Sequence, residues 1–420
     1  MRTIRVPWGA WYGDEMLELA VPESWRVSVP AFRNAPPLSA DGIRQGLRAP
    51  TGTPSIRELA AGKRSPAIVV DDLTRPTPTA ELLPLVLEEL RAGGVSSDAV
   101  RILVGQATHR PLARPELFKK LGPLADDLTV ISHNSHQNLV SFGTTRAGTP
   151  VAFSRFYVES DLKLTIGCVE PHGAFGHSGG CKLVFPGLAG IDSIYANHRP
   201  DNLRMGILAP DASAMRLDAE EAVRMVGLDA VVNVVVGHRR QPLGIFVGDF
   251  IAAHRRAAAF AEQVYATPVA GPADVVVLNA YPKDTELIQV VNAANALSAS
   301  KTPLLRDGGV AVITTAASEG PGYHALSGPG GRLLSLLSPH PLLVKRPTVL
   351  FCPHGRTADL PPSLPAGTLC CREWAEVVRW VEARVGPSPS ITVFTEGSLQ
   401  LPVPAESPAL CEPLLTGVKS

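Results

Sequence analysis

Short apolar runs of strand length alternate with helix-length segments from about residue 64 to the end, and few folds accept that pattern. Pro66-Ala-Ile-Val-Val70 reads as a strand buried inside a parallel sheet. Pro76 and Pro78 punctuate the entry to a helix running to about Ala92, where Gly93-Gly94 stops it. Val100 to Val104 is the next strand, so the three elements form a βαβ unit with parallel strands and a right-handed crossover. The pattern continues through a helix around 115–121, strands at 128–132 and 161–168, a helix around 219–226, strands at 231–236 and 244–247, and a helix at 251–265. Thr267-Pro-Val-Ala-Gly-Pro272 reads as a linker. A second alternation follows, with strands at 274–278, 310–314, 349–352 and 391–394 and helices at 285–299 and 374–385. Stretches rich in proline near 360–366 and 402–413 read as surface connections. At 420 residues the chain exceeds one ordinary core. The expected architecture is two α/β domains with mainly parallel sheets and an active site in the cleft between them. Residues 1–268 would form the catalytic and cofactor-binding domain. Residues 273–420 would form the second, its last strand or tail packing back on the first.

Charge narrows the function. Lys plus Arg equals Asp plus Glu, 39 of each, which argues against a general nucleic-acid binder. No apolar run reaches the ~18 residues of a membrane span, and the opening MRTIRVPWGAWYGDE has no apolar stretch of signal-peptide length. Cys168, Cys181, Cys352, Cys370, Cys371 and Cys411 fall in no zinc-type spacing, and reduced thiols suit a cytoplasmic protein.

Ligands of open parallel sheets bind beyond the carboxyl ends of the strands, which makes the residues at those ends informative. The first strand of the βαβ unit runs into Asp71-Asp72-Leu-Thr-Arg75-Pro and the second into Gly105-Gln-Ala-Thr-His109-Arg110-Pro. Two carboxylates, an arginine and a histidine are thus delivered to one sheet edge, although either Asp alone is equally a helix cap paired with Arg75. The densest segment runs from Glu170 through His172, His177, Ser178, Gly179, Gly180 and Lys182 to Pro186 and Gly187. Five glycines in these eighteen residues let backbone N–H groups approach an anion. Neither GxGxxG nor the Gly-Lys-Ser/Thr of a P-loop is present, so composition indicates an anion or nucleotide site around a reactive lysine. His198 follows in a helical stretch; one protein histidine holds a transition metal tightly only if an organic chelator supplies the remaining ligands. His133 and His136 read as surface loop groups, and His238, His254, His324, His340 and His354 show no partner pattern.

Asp-Asp-Leu-Thr-Arg-Pro at 71–76, Thr-His-Arg-Pro at 108–111 and Glu-Pro-His…Ser-Gly-Gly-Cys-Lys…Pro-Gly…Asn-His at 170–198 resemble the nickel-dependent lactate racemase family in order and spacing. Tyr281-Pro-Lys-Asp284 with Gln289 resembles that family's motif in its second domain. The resemblance implies a pyridinium-3-thioamide-5-thiocarboxylate mononucleotide, the nickel-pincer nucleotide, covalently attached to Lys182. Nickel would be held by the ring carbon, both sulfurs and His198, with Asp71, Asp72, Ser178, Gly179, Gly180 and Pro186 around the cofactor. It implies His109 and His172 as acid/base partners, Arg75 as the anchor of the substrate carboxylate, and Tyr281, Gln289 and Asn292 lining the substrate side.

The implied reaction is racemisation or epimerisation of a small 2-hydroxyacid. One histidine takes the hydroxyl proton as hydride leaves Cα for the cofactor. The planar oxoacid then accepts hydride on its other face while the opposite histidine reprotonates the oxygen. The resemblance also implies transient contact with cofactor-synthesis proteins. Two positions depart from the family pattern. Asn292 stands where a lysine is common, and His177 where an aromatic residue is usual, which suggests a larger substrate or one with a second acidic substituent, such as malate or a sugar acid, received by His177. Two other readings compete: another redox or lyase reaction of a 2-hydroxyacid at the same cofactor site, and an anionic-nucleotide-binding protein without racemase activity.

Overall fold

The computed structural model describes residues 1–199, 211 and 213–406 and contains two six-stranded sheets among them. In the first, the spatial order is Pro242–Gly248, Ala230–Val236, Leu162–Cys168, Pro66–Val70, Arg101–Val104, Thr129–Ser132. All neighbours in it are parallel except the outer pair formed by Ala230–Val236 and Pro242–Gly248. The chain leaves Pro66–Val70 toward one edge and later returns at Leu162–Cys168 to build toward the other. The strand order therefore reverses between these two, and loops that leave their carboxyl ends must part, opening a crevice.

Strand alternation explains the layering. Ile68, Val70, Ile102, Val104, Leu164 and Ile166 pack on one face with Leu82, Leu83, Val86 and Leu90 of the helix Thr79–Ala92. Ala67, Val69 and Leu103 face the other way and meet Leu183, Val184 and Phe185. Each fully buried Val, Ile or Leu contributes about 1.5–3 kcal/mol, so the turn carrying Lys182 is anchored by an apolar layer.

The second sheet is parallel throughout, in the order Leu369–Cys371, Thr348–Phe351, Leu305–Thr314, Ala273–Asn279, Ser390–Phe394, Arg26–Ser28. One face packs on the hairpin Arg2–Trp8/Glu15–Val21 through Ile4, Val6, Leu19 and Val21, and on the helix Trp374–Val385 through Val377 and Val381. The division at 268/273 needs correction here, because strand Arg26–Ser28 and the opening hairpin belong to the second sheet's layers. Their strand-like alternation was present in the sequence, but nothing local indicates which sheet an isolated hairpin will cover.

Two further expectations change. The segment read as a linker is in part the strand Ala266–Val269, which pairs in parallel with Leu401–Pro404. Leu399 and Leu401 pack with Val169 and Val235 from the first sheet's region. Prolines at 268, 402 and 404 fit a two-stranded ribbon whose edges need no further donors. The helix expected over 285–299 is a 3-10 helix, Leu287–Ala294, followed by a short α-helix, Asn295–Ala299. Residues three apart eclipse in a 3-10 helix, which stacks Asn292 directly on Gln289. No helix among the described residues is long and apolar enough to cross a membrane. Five cysteines are free and four of them buried; Cys411 and the tail beyond residue 406 lie outside the described residues.

Candidate active site

A cavity of about 220 Å³ opens at the strand-order reversal. Most of its wall comes from loops at the carboxyl ends of the first sheet's strands, while Gln289 and His324 reach it from the second half of the chain. Asp71, Asp72, Arg75, His109, His172, Ser178, Gly179, Lys182, Pro186 and His198 all line it.

After Pro66–Val70 the chain turns tightly. Asp72 Oδ1 accepts from the Thr74 amide at 2.9 Å and from its hydroxyl at 2.5 Å, and Oδ2 lies 2.7 Å from His109 Nδ1. Burial alone would neutralise Asp72, but His109, Thr74 and Arg75 hold its carboxyl well below the usual range. For His109, burial opposes protonation, yet the Asp72 carboxylate prevails and the imidazole's pKa is raised. With Nδ1 committed to Asp72, Nε2 is the nitrogen available to a ligand. Asp71 takes a different part. Its carboxylate pairs with the buried Lys120 and accepts from the Thr77 hydroxyl at 2.5 Å. Lys120 also donates to the carbonyls of Asp72, Arg75 and Thr77 at 3.1, 3.2 and 3.3 Å, so this pair braces the loop from below. Lys120 lies in an ordinary amphipathic helix and carried no sequence signal.

Arg75 is oriented by the Thr74 carbonyl, 3.0 Å from Nη1, and by Glu170, 3.6 Å from Nε. Glu170 is fully buried and also pairs at 2.8 Å with Lys283, itself 1% exposed. Lys283 is thus the residue of the Tyr-Pro-Lys-Asp motif that reaches this cluster. Tyr281 does not: its hydroxyl donates to Asp14 at 3.0 Å, and its ring lines a separate surface cavity with Arg240 and His238. The expectation that Tyr281 contacts substrate is corrected accordingly.

The glycine-rich segment brings the lysine to the strand ends. Gly179 has φ +73°, and a Cβ there would lie 2.6 Å from Val169 Cγ2 and 2.9 Å from the Cys168 carbonyl. At Gly187 a Cβ would lie 1.9 Å from the Leu183 carbonyl, so only glycine closes the turn that carries Lys182. The Ser178 hydroxyl is used internally, donating to the Cys168 carbonyl at 2.9 Å and accepting from the Glu170 amide at 3.1 Å. The amide of Gly180 donates to Asn233 Oδ1 at 2.9 Å, and Gly180 does not line the cavity. Its expected contact with the cofactor is therefore replaced by a tie to the sheet.

His172 Nδ1 accepts from the amides of Ala174 and Phe175 at 3.2 and 3.3 Å, which leaves the proton of a neutral ring on Nε2. That nitrogen lies 2.8 Å from Lys182 Nζ. Burial, with Arg75, Arg216 and Lys283 nearby, drives the Lys182 pKa far down, so the amine accepts from His172 rather than competing as a donor. Burial and the surrounding cations, Lys182 first, hold the His172 pKa well below its ordinary value too. His198 closes the helix Ile191–Asn197, and its Nδ1 donates to the Ile194 carbonyl at 3.0 Å. Nε2 therefore carries the lone pair. Burial and Lys182 bring the His198 pKa down to about 3.

These features fit a covalently attached, metal-bearing group. An unprotonated lysine amine is the form that can be acylated, and a neutral histidine with Nδ1 pinned to a carbonyl is the form that binds a metal through Nε2. No group of three or more His, Cys, Asp or Glu side chains able to hold a metal occurs among the described residues. A metal here would therefore take most of its ligands from the organic group.

His177 also departs from its expected place. It is fully buried outside the cavity, 3.9 Å from Glu262, where Arg216 and Arg255 and above all burial bring its pKa to about 3. It alternates on the short strand Gly176–His177 away from the site and cannot receive a substrate group. Asn292 also stays off the cavity wall. Its Nδ2 donates to the Gln289 backbone oxygen and to Oε1, both at 2.9 Å, orienting the glutamine that does line the wall. His133, expected at the surface, is buried with Nε2 on the Ala189 carbonyl at 2.9 Å. His324, read as unremarkable, stands in the site with its ring centroid 5.2 Å from that of His109. It lies in a loop without periodicity, far along the chain from the other residues, so no spacing announces it.

Residues 12–205 match the family described as the lactate racemase N-terminal domain. The lactate racemase of Thermoanaerobacterium thermosaccharolyticum is 32% identical over 292 residues, covering 67% of this chain and 67% of that protein. The lactate racemase of Lactiplantibacillus plantarum is 30% identical over 299 residues, covering 68% and 69%. Among solved structures, the lactate racemase apoprotein of Thermoanaerobacterium thermosaccharolyticum superposes with a TM-score of 0.74 at 24% identity, covering 96% of this chain and all of that one. A Thermotoga maritima protein superposes with a TM-score of 0.64 at 16% identity, covering 89% of this chain.

Proposed function

This chain belongs to the lactate racemase family, and we propose that it is an isomerase that racemises or epimerises a 2-hydroxyacid in the cavity described above. The observation that carries the reading is a pair of histidines poised oppositely on one cavity: His109 with its pKa raised by Asp72, and His172 with its pKa lowered by burial and Lys182. Two groups whose proton affinities are pushed apart divide into an acid and a base. A racemase needs both at the same oxygen, from opposite sides.

Lys182 would hold a nickel-pincer nucleotide covalently, and His198 would ligate its metal through Nε2. When bound, that group supplies an acceptor and donor of hydride. The chain does the rest. Arg75, fixed by Thr74 and Glu170, binds the substrate carboxylate through Nη2, which has no partner among the described residues. Acylation of Lys182 removes the lone pair that receives the His172 Nε2–H, freeing that N–H to donate to the substrate oxygen. His109 Nε2 serves the same oxygen in the other configuration, with Asp72 holding the ring's tautomer. Cofactor-synthesis proteins must load the enzyme. The cytoplasm, where the free thiols stay reduced, is the compartment that suits it.

The test follows a single enantiomer of Cα-deuterated lactate or a related hydroxyacid through the loaded protein. The expected outcome is formation of the other enantiomer with deuterium retained at Cα. Loss of deuterium to water would mean proton abstraction in place of hydride transfer, and accumulation of free 2-oxoacid would replace racemisation by a redox or lyase reaction.

A further inference from the structure

His324 is held in one protonation state by the backbone around it. It sits in the connection after strand Leu305–Thr314, where Ala325 N donates to the Thr108 carbonyl at 2.9 Å and docks the loop against the strand end bearing His109. His324 Nδ1 accepts from the amides of Leu326 at 3.3 Å and Ser327 at 3.0 Å. A ring whose Nδ1 accepts two amides carries its proton on Nε2. The Thr108 hydroxyl lies 3.3 Å from Nδ1 and 3.2 Å from Nε2. An oxygen so nearly equidistant from both nitrogens lies off the axis of the Nε2–H bond and does not consume it. Burial brings the His324 pKa to about 3, so this is a neutral donor throughout the working range.

Gln289 offers the same chemistry from the 3-10 helix. Asn292 occupies Oε1, so the end of the Gln289 amide left for the cavity is its NH2. Where the family resemblance leads one to expect a lysine, this chain has an asparagine that turns a neighbour into a neutral donor. The second half of the chain thus contributes two uncharged N–H donors to the cavity. Among the described residues its lysines and arginines are Arg75, engaged with the substrate carboxylate, and Lys182, consumed by the cofactor link. The carboxylates of Asp71 and Asp72 on the wall are already paired, with Lys120 and with His109, so no cation is left free there.

Resting on the racemase reading, we infer that His324 and Gln289 determine specificity. They select a monocarboxylic 2-hydroxyacid with an uncharged hydroxyl at C3, as in glycerate or a longer polyhydroxy acid, over both lactate and diacids. A C3 hydroxyl satisfies the donors. A methyl group leaves them unpaired, and a second carboxylate meets only neutral donors, because His109 is already engaged with Asp72. This replaces His177 as the feature that shapes substrate choice, and it turns the choice away from malate.

The test compares kcat/KM of the nickel-loaded protein for glycerate, lactate and malate, in the wild type and in His324→Asn. Asparagine keeps an acceptor for the amides two and three residues ahead, in the manner of an Asx turn, but withdraws the donor from the cavity. Glycerate should exceed lactate and malate by about tenfold or more in the wild type. In His324→Asn the glycerate advantage should fall to about twofold through KM, with lactate changed less than about threefold. Inhibition constants provide a readout without turnover: 3-hydroxypropanoate should outcompete propanoate in the wild type and lose that advantage in His324→Asn. Racemisation with lactate or malate preferred, or a glycerate preference that survives the substitution, overturns the inference and leaves the racemase reading standing. Loaded protein that inverts none of the three acids, nor any longer polyhydroxy 2-hydroxyacid, removes both.

Discussion

Replacing Asp72 with asparagine removes the charge opposite His109 while keeping nearly the same shape. The hydrogen bond is 2.7 Å long, joins a carboxylate to an imidazole, and is almost fully shielded from solvent. A charge-assisted bond of this kind contributes about 1.5–3 kcal/mol. At 1.36 kcal/mol per pKa unit, His109 should lose about one to two units of proton affinity in the variant. The sign on stability follows from the raised pKa of His109. Folding increases that ring's affinity for a proton, so the pair stabilises the fold fully below the unfolded histidine value of about 6.5. The contribution fades as pH climbs through the raised native value. Asp72, held low, remains ionised across that window. Urea unfolding should therefore show Asp72→Asn less stable by about 1.5–3 kcal/mol near pH 5.5 and by clearly less near pH 9. Nuclear magnetic resonance of the His109 ring in cofactor-free protein should show its titration midpoint moving down. An equal cost at both pH values, with an unmoved His109 midpoint, would refute the assignment of this pair.

Lys283→Met should cost about 3 kcal/mol in urea unfolding, because it leaves buried Glu170 with only Arg75, 3.6 Å away; a loss under about 1 kcal/mol would show that the pair does not brace the site. Gly187→Ala forces a Cβ to 1.9 Å from the Leu183 carbonyl and should destabilise by about 3 kcal/mol or prevent folding, whereas a wild-type melting curve would contradict the turn described. Asn292→Ala releases the Gln289 amide and should raise substrate KM about three- to tenfold while kcat moves less, and an unchanged KM would separate Asn292 from recognition.

The strands of the first sheet and the loops at their carboxyl ends were legible because strands of four to seven residues end within a few positions of Asp71, Asp72, His109 and Glu170 in the chain. Local order there translates directly into spatial order, since a strand end must deliver whatever follows it to the sheet edge. The segment from His172 to His198 was legible for a similar reason: its glycines, lysine and histidines lie close in sequence and stay close in space. What escaped was set by contacts between distant segments. His324 gains meaning only when its loop docks on Thr108, and Lys120 only when its helix slides beneath Asp71. His177 and Tyr281 were misplaced because a motif records neighbours along the chain, while one residue's step along an extended segment turns a side chain to the opposite face. The 3-10 helix at Leu287–Ala294 has the apolar content of an ordinary helix, so its tighter winding was not visible in residue pattern.

The central claim is that Lys182 and His198 together hold a nickel-bearing nucleotide, and it is tested most directly by metal content and intact mass of protein produced alongside the cofactor-synthesis proteins. Near-stoichiometric nickel with a nucleotide-sized mass increase is expected in the wild type. Lys182→Ala should lose the mass increase, and His198→Ala should keep the adduct with much less nickel. Wild-type protein that carries neither nickel nor adduct under those conditions, or an adduct that persists in Lys182→Ala, would contradict it.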